Sequence, residues 1–254
     1  MLHFFEKGQG PALLFLHGFC ESGEMWRYFA DSLSTQYRGL CPDLPGFGNS
    51  PLTSPITSLE QVTEHLEELL DALQIQNPIV MGHSLGGYVA LALLERMGNR
   101  IQAIGLLHST AYADDLEKKE MRNRTLTFLK KHGAAKFVTS FVPQLFPEHR
   151  RIELADAMAQ AIEDGKRSSL EGLLAYTIAM RDRVDRLAVL QQFVGPKLLL
   201  AGTVDGSVKI ESSRAQQSAF THYIELEGVG HLGMVEEKEK TLEVVQNFVR
   251  EVLK

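Results

Sequence analysis

The 254-residue sequence holds only two cysteines and one tryptophan, and fewer basic than acidic residues. Each shortage excludes something. Cys20 and Cys41 form neither a C-x-x-C pair nor a zinc-ligand spacing, so neither a disulfide framework nor a thiolate metal centre is indicated. Two small buried thiols in a reducing compartment are expected instead. The longest apolar stretch, Leu85 to Leu94 with its glycines, stops at Glu95, well short of the roughly 18 residues that span a bilayer. The opening Met1-Leu2-His3-Phe4-Phe5-Glu6-Lys7 lacks the basic-then-apolar order of a secretory signal, so a cytoplasmic protein with no membrane span is expected. With 26 Lys and Arg against 32 Asp and Glu, net charge −6, no basic field draws the chain to a phosphate backbone, and nucleic acid is not expected as a partner.

What is present is an ordinary globular composition, 44% apolar and 23% charged, at a length between one average domain and two. Ala12 to Leu16, Tyr37 to Cys41, Ile79 to Met81 and Ile101 to Leu107 read as short buried strands. Between them, Leu59 to Leu73 and Leu85 to Met97 carry apolar residues three and four apart, the period of a helix. This is the rhythm of βα units around a mostly parallel sheet. From Ala111 to about Leu190 no strand signal recurs. The rhythm resumes with Lys197 to Ala201, a helix around Ile210 to Phe220, a strand at His222 to Leu226 and a closing helix from Glu236 to Leu253. The predicted fold class is therefore α/β: a core of residues 1–110 and 191–254, interrupted by an all-helical insertion at 111–190.

Gly82-His83-Ser84-Leu85-Gly86 fits G-x-S-x-G between a predicted strand and a predicted helix. A serine on so tight a turn is pushed out over the carboxyl end of the sheet, and the N–H of Leu85, opening a helix, faces whatever reacts with it. The strand Ala12 to Leu16 ends in His17-Gly18-Phe19-Cys20, where the N–H of Phe19 is a second candidate donor to an oxyanion. Asp205 follows the strand Lys197 to Ala201, and His231 follows the last strand in Gly228-Val229-Gly230-His231. The order Ser84, Asp205, His231 is that of nucleophile, acid and base taken from successive strand ends. His83, His17 and Asp43 are read as structural, and His108 as a residue that either lines the pocket or ends a strand. No H-E-x-x-H occurs, no phosphate loop is complete, and neither a metal nor a cofactor is expected.

These residues resemble the α/β-hydrolase fold family across essentially the whole chain. Asp43-Leu44-Pro45-Gly46-Phe47-Gly48-Asn49-Ser50 is similar to the family's D-x-x-G-x-G-x-S loop, and His17-Gly18 with Trp26 to its oxyanion signature. The resemblance implies a catalytic triad of Ser84, Asp205 and His231, an oxyanion hole from Phe19 and Leu85, and a helical cap inserted after the sixth strand. Apolar cap residues, Phe128, Phe141 and Phe146 among them, together with His108, are expected to face a small-molecule substrate. The expected activity is hydrolysis of a carboxylic ester, thioester or lactone. Two alternatives stay open: hydrolytic carbon–carbon cleavage, using cap arginines Arg122, Arg124, Arg181 and Arg183 to hold a carboxylate, and a non-catalytic ligand receptor.

Overall fold

The computed structural model of the chain describes residues 1–254. Strands β1 (Phe4–Lys7), β2 (Ala12–Leu16) and β3 (Arg38–Pro42) enclose helix α1 (Arg27–Leu33); α2 (Leu59–Ala72), β4 (Ile79–His83), α3 (Leu85–Met97) and β5 (Ala103–Leu107) follow. Five helices come next: α4 (Leu116–His132), α5 (Ala134–Phe141), α6 (Ala155–Gly165), α7 (Leu170–Asp182) and α8 (Leu187–Gln192). The chain closes with β6 (Lys197–Gly202), α9 (Ile210–Gln216), β7 (His222–Leu226), α10 (Gly233–Glu236) and α11 (Lys238–Val252).

The seven strands form one sheet in the order β1-β3-β2-β4-β5-β6-β7, and only β1 runs antiparallel. Central strands β4, β5 and β6 are buried along their whole length, as parallel strands covered on both faces must be. One apolar cluster, with Leu66, Val80, Leu93 and Leu106, fills one face; another, with Phe15, Trp26, Met81 and Phe248, fills the other. The register sets Leu16 beside Gly82, His83 beside Leu107, and Gly202 beside Leu226. The loops leaving these strand ends therefore meet along one edge of the sheet, the usual place for a site in an open α/β sheet.

Three expectations change. The helical insertion follows β5, the fifth strand in this chain's own order rather than a sixth. Strand β1 escaped prediction because Phe4-Phe5-Glu6-Lys7 lies at the sheet margin and shows no alternation of buried and exposed positions. The closing helix, expected from Glu236 to Leu253, runs Lys238–Val252 as α11, and a short α10 (Gly233–Glu236) that the sequence did not announce precedes it, the two separated at Glu237, whose φ of −138° leaves the helical region.

The insertion is hung on the core at a narrow neck, where the Arg186 N–H donates to the Ala111 carbonyl at 2.8 Å. Its base is braced by a buried ion cluster: Asp114 accepts from Arg183 at 2.6 Å and from Arg122 at 3.1 Å. The Arg183 guanidinium also lies 3.9 Å from the centre of the Tyr88 ring, on the core. Removing one member of a buried pair strands the other charge. Asp114→Ala is therefore expected to cost about 3 to 5 kcal/mol in a urea titration, and a cost below about 1 kcal/mol would show that Arg183 is solvated there.

Candidate active site

Ser84 sits between β4 and α3 with φ 50° and ψ −114°, a conformation that residues with side chains rarely adopt. The turn closes so tightly that a Cβ on Gly82 would strike the Gly86 backbone, and one on Gly86 the Leu16 carbonyl. Glycine is required at both places. The Ser84 N–H donates to the Leu107 carbonyl at 3.0 Å, and the Ser109 hydroxyl donates to the Ser84 carbonyl at 2.8 Å, so the strained residue is held from two sides.

Its hydroxyl lies 2.9 Å from Nε2 of His231, and Nδ1 of the same ring lies 2.8 Å from Oδ2 of Asp205. Asp205 accepts two further bonds on Oδ1, from the N–H groups of Ser207 (2.7 Å) and Val208 (2.9 Å). An ionised carboxylate in that position makes Nδ1 the protonated nitrogen and leaves Nε2 free to accept from the serine. Burial would push the Asp205 carboxyl up, but the His231 and His108 imidazoles outweigh it and hold the group well below the usual carboxylate range. Burial alone would lower His231; the Asp205 charge and hydrogen bond reverse this and hold the imidazole above its ordinary 6.5.

The loop that carries His231 is pinned residue by residue. Glu236 accepts from the N–H groups of Gly230 (2.8 Å) and Leu232 (3.0 Å), and burial raises its carboxyl above the ordinary range. The His231 N–H donates to the Leu145 carbonyl of the insertion at 3.1 Å, and the His231 carbonyl accepts from Nε2 of His83 at 2.9 Å. On the opposite side of the site, His17 accepts from the Leu44 N–H at Nε2 (2.9 Å) and donates from Nδ1 to the Gly18 carbonyl (2.8 Å). Its burial lowers its basicity, which suits a neutral ring with one donor and one acceptor. In a trans peptide C=O and N–H point opposite ways, so tying down the Gly18 carbonyl fixes the direction of the Phe19 N–H. The Leu85 N–H, at the first residue of α3, has no carbonyl partner within its own helix.

The remaining sequence-predicted residues are placed unevenly. Phe141 packs with Phe137 against Phe19, ring centres 6.0 Å apart in each case, and so borders the turn that carries the Phe19 N–H. Phe146 is wholly buried in the core cluster, and Phe128 is half-buried between His132, 4.6 Å away, and Phe137, 6.1 Å away. His108 is buried behind the imidazole–carboxylate pair, Nδ1 3.5 Å from Asp205 Oδ2, where burial lowers its basicity. Cys20 and Cys41 are free and buried. A cavity of about 830 Å³ opens between α6 and the site, lined by Cys20, Glu21, Val142, Leu145 and Leu232 among others, with Glu24, Glu163 and Asp164 on its border. Ser84 is not part of its wall; the cavity flanks the reacting groups through the chain neighbours of Phe19 and His231.

Sequence reasoning passed over Glu21 and Glu236. Each accepts backbone N–H groups across a loop, a role without a spacing rule. The only signal was their position within a few residues of Phe19 and His231.

A serine on a strained strand-to-helix turn, bonded to an imidazole that is itself bonded to a carboxylate, is the means by which many hydrolases make a nucleophile of an alcohol. A family model described as alpha/beta hydrolase fold matches residues 11–238, and the chain belongs to that family. It is similar to a pimeloyl-[acyl-carrier protein] methyl ester esterase of Aeromonas salmonicida, 29% identical over 95% of this chain and 96% of the relative. It is also similar to 3-oxoadipate enol-lactonase 1 of Acinetobacter baylyi, 25% identical over 95% of this chain and 90% of the relative. With some relatives the match is partial: it spans 8% of the chloroplastic protein PHYLLO of Arabidopsis thaliana, at 29% identity over 47% of this chain. A solved thermophilic esterase from Thermogutta terrifontis superposes with a TM-score of 0.92 at 26% identity, covering 99% of this chain and 93% of the esterase. No helix is long and apolar enough to cross a membrane.

Proposed function

We propose that the protein is a serine hydrolase that cleaves a carboxylic ester, thioester or lactone of a small to medium, largely apolar substrate through an acyl-enzyme on Ser84. The observation that carries this reading is the unbroken chain Asp205–His231–Ser84, with bonds of 2.8 and 2.9 Å, beneath a positive φ at Ser84. His231 takes the hydroxyl proton as Ser84 attacks the carbonyl carbon, and returns it to the leaving group. The Phe19 and Leu85 N–H groups receive the oxyanion. Water, activated by the same imidazole, then releases the acid. Residues 111–190 act as the cap that shapes the substrate space, to which Phe141 and the flanking cavity offer apolar surface. Esterase and enol-lactonase relatives support ester or lactone bonds as the target.

Carbon–carbon cleavage is the weaker reading because most of the cap arginines that would have to hold a substrate carboxylate are engaged elsewhere. Arg122 and Arg183 pair with Asp114, and Arg181 with Asp182; Arg124 makes no such pair but is exposed on α4. A series of p-nitrophenyl esters from acetate to dodecanoate, with a fluorophosphonate probe for Ser84, tests the proposal. Turnover is expected to peak at a short to medium acyl chain, with the probe on Ser84. No turnover of any ester together with an unlabelled Ser84 would overturn the hydrolase reading.

A further inference from the structure

Behind the imidazole of His231 lies a second buried acid and imidazole that the proposed mechanism does not use. Glu21 follows the turn that carries Phe19, and His83 ends β4, one residue before Ser84. The Glu21 carboxylate oxygen Oε2 accepts from the Gly18 N–H at 2.5 Å and lies 2.9 Å from Nδ1 of His83. The other nitrogen of His83 reaches the His231 carbonyl at 2.9 Å. A carbonyl can only accept, so Nε2 of His83 carries a hydrogen. The contact between Nδ1 and Oε2 then holds one proton, and whichever atom carries it, the pair has no net charge. Both residues are withdrawn from solvent, His83 to 1% and Glu21 to 9% exposure. Groups so deeply buried are costly unless each polar atom is matched, yet Oε1 of Glu21 has no partner.

Four bonds hold the N–H groups of residues 230–232 and the His231 carbonyl: two to Glu236, one to Leu145 and one from His83. Of these, the His83 bond alone continues, through Glu21, to the Gly18 N–H on the far side of the nucleophile. The loop being held contains Gly228 at φ +71° and Gly230, and has little stiffness of its own. We propose that Glu21 and His83 are a positioning pair that ties the oxyanion turn to the base loop, fixing the separation between the Phe19 N–H and the His231 imidazole across Ser84. Neither side chain bonds to the Ser84 hydroxyl or to the His231 ring. Burial would raise the Glu21 carboxyl, but the His83 imidazole and the Gly18 N–H more than offset it and hold it below the ordinary range, as an acceptor from both. The inference rests on the hydrolase reading for its effect on rate, and on the geometry alone for its effect on the loops.

The test uses Glu21→Ala, His83→Ala and the double variant, with His83→Gln as the conservative replacement that keeps a donor within reach of the His231 carbonyl. A misplacement of the order of 1 Å costs about 100-fold in rate, so kcat for a p-nitrophenyl ester is expected to fall about 10- to 100-fold in each single variant, with KM within about twofold. The double variant should lose about as much as the worse single one, since the two residues act as one unit. His83→Gln should recover most of the loss. Hydrogen exchange in the peptides covering 17–22 and 226–236 should quicken together in either single variant, at unchanged exchange in α11. Independent, multiplying losses in kcat, or faster exchange at 17–22 alone after Glu21→Ala, would overturn the pairing. If His83→Ala does not fold, Glu21→Gln and His83→Gln carry the same comparison at nearly constant volume. Should the wild-type chain turn over no ester, the hydrolase reading falls, and the exchange measurement still decides whether the two loops are tied.

Discussion

Ser84→Ala is expected to lower kcat for the best p-nitrophenyl ester by about 10⁶-fold while leaving substrate affinity nearly unchanged, the loss typical when the nucleophile of a hydrogen-bonded triad is removed. Removing one oxygen eliminates the covalent route altogether; what remains is water attacking a carbonyl held by the Phe19 and Leu85 N–H groups. The backbone supplies a second readout. Ser84 is held at φ 50° by the Leu107 carbonyl and the Ser109 hydroxyl, at an energetic cost of order 1 to 3 kcal/mol. Glycine tolerates that conformation, so Ser84→Gly should be inactive and also more resistant to urea than the wild-type chain. An inactive variant with no gain in stability would show that the surrounding turn, rather than the serine, bears the strain. Retention of more than a hundredth of the wild-type kcat in Ser84→Ala would place the nucleophile elsewhere.

Asp205→Asn is expected to lower kcat about 10⁴-fold, because an amide in that position favours the tautomer with hydrogen on Nε2, the nitrogen that must accept from Ser84. Its pH profile should move as well. In the wild-type chain the base is held above 6.5, so kcat/KM falls as pH drops through a value above 6.5, where His231 gains a proton and can no longer accept one. Without the Asp205 charge, burial is opposed only by the weaker fields of Glu21 and Glu236, with the His108 and His83 rings also nearby. The acid limb should therefore shift to lower pH. An unchanged limb would mean that Asp205 does not set the basicity of His231.

Much of the core was legible in the sequence because local and tertiary signals coincide there. Leu85 to Met97 and His222 to Leu226 have the boundaries read from sequence, since a G-x-S-x-G turn, an unbroken apolar face and a flanking glycine mark them independently. The meeting of Ser84, Asp205 and His231 followed from strand ends alone, because a parallel sheet brings successive carboxyl ends to one edge. Helix α1 was missed, as Arg27-Tyr28-Phe29-Ala30-Asp31-Ser32-Leu33 is too short to display a period. Substrate-facing residues were least legible. An apolar side chain in the insertion carries the same pattern whether it packs against another helix, as Phe146 does, or borders the site, as Phe141 does. The Asp114 cluster was hidden for a related reason: its partners lie eight and 69 positions away, and nothing local distinguishes a buried arginine from a solvated one.

The neck of the insertion bears on how such a protein changes over generations. Where Arg186 N–H meets the Ala111 carbonyl, the chain leaves the core and returns at almost the same point. A segment whose ends already touch adds no strain to its host, and lengthening it is cheap, since each doubling of a closed loop costs only about 0.6 kcal/mol in chain entropy. Helices between residues 111 and 186 can thus be exchanged, trimmed or extended while Ser84, Asp205 and the strands beneath them keep their places. The Leu145 carbonyl limits that freedom: any replacement must still offer an acceptor to the His231 N–H, or the loop that carries His231 loses one of its ties. On the proposed reading, substrate choice and bond-breaking chemistry can drift separately, joined at the Leu145–His231 bond, the packing of Phe137 and Phe141 on Phe19, and the ties of Asp164 to Ser22 and Arg150 to Glu237.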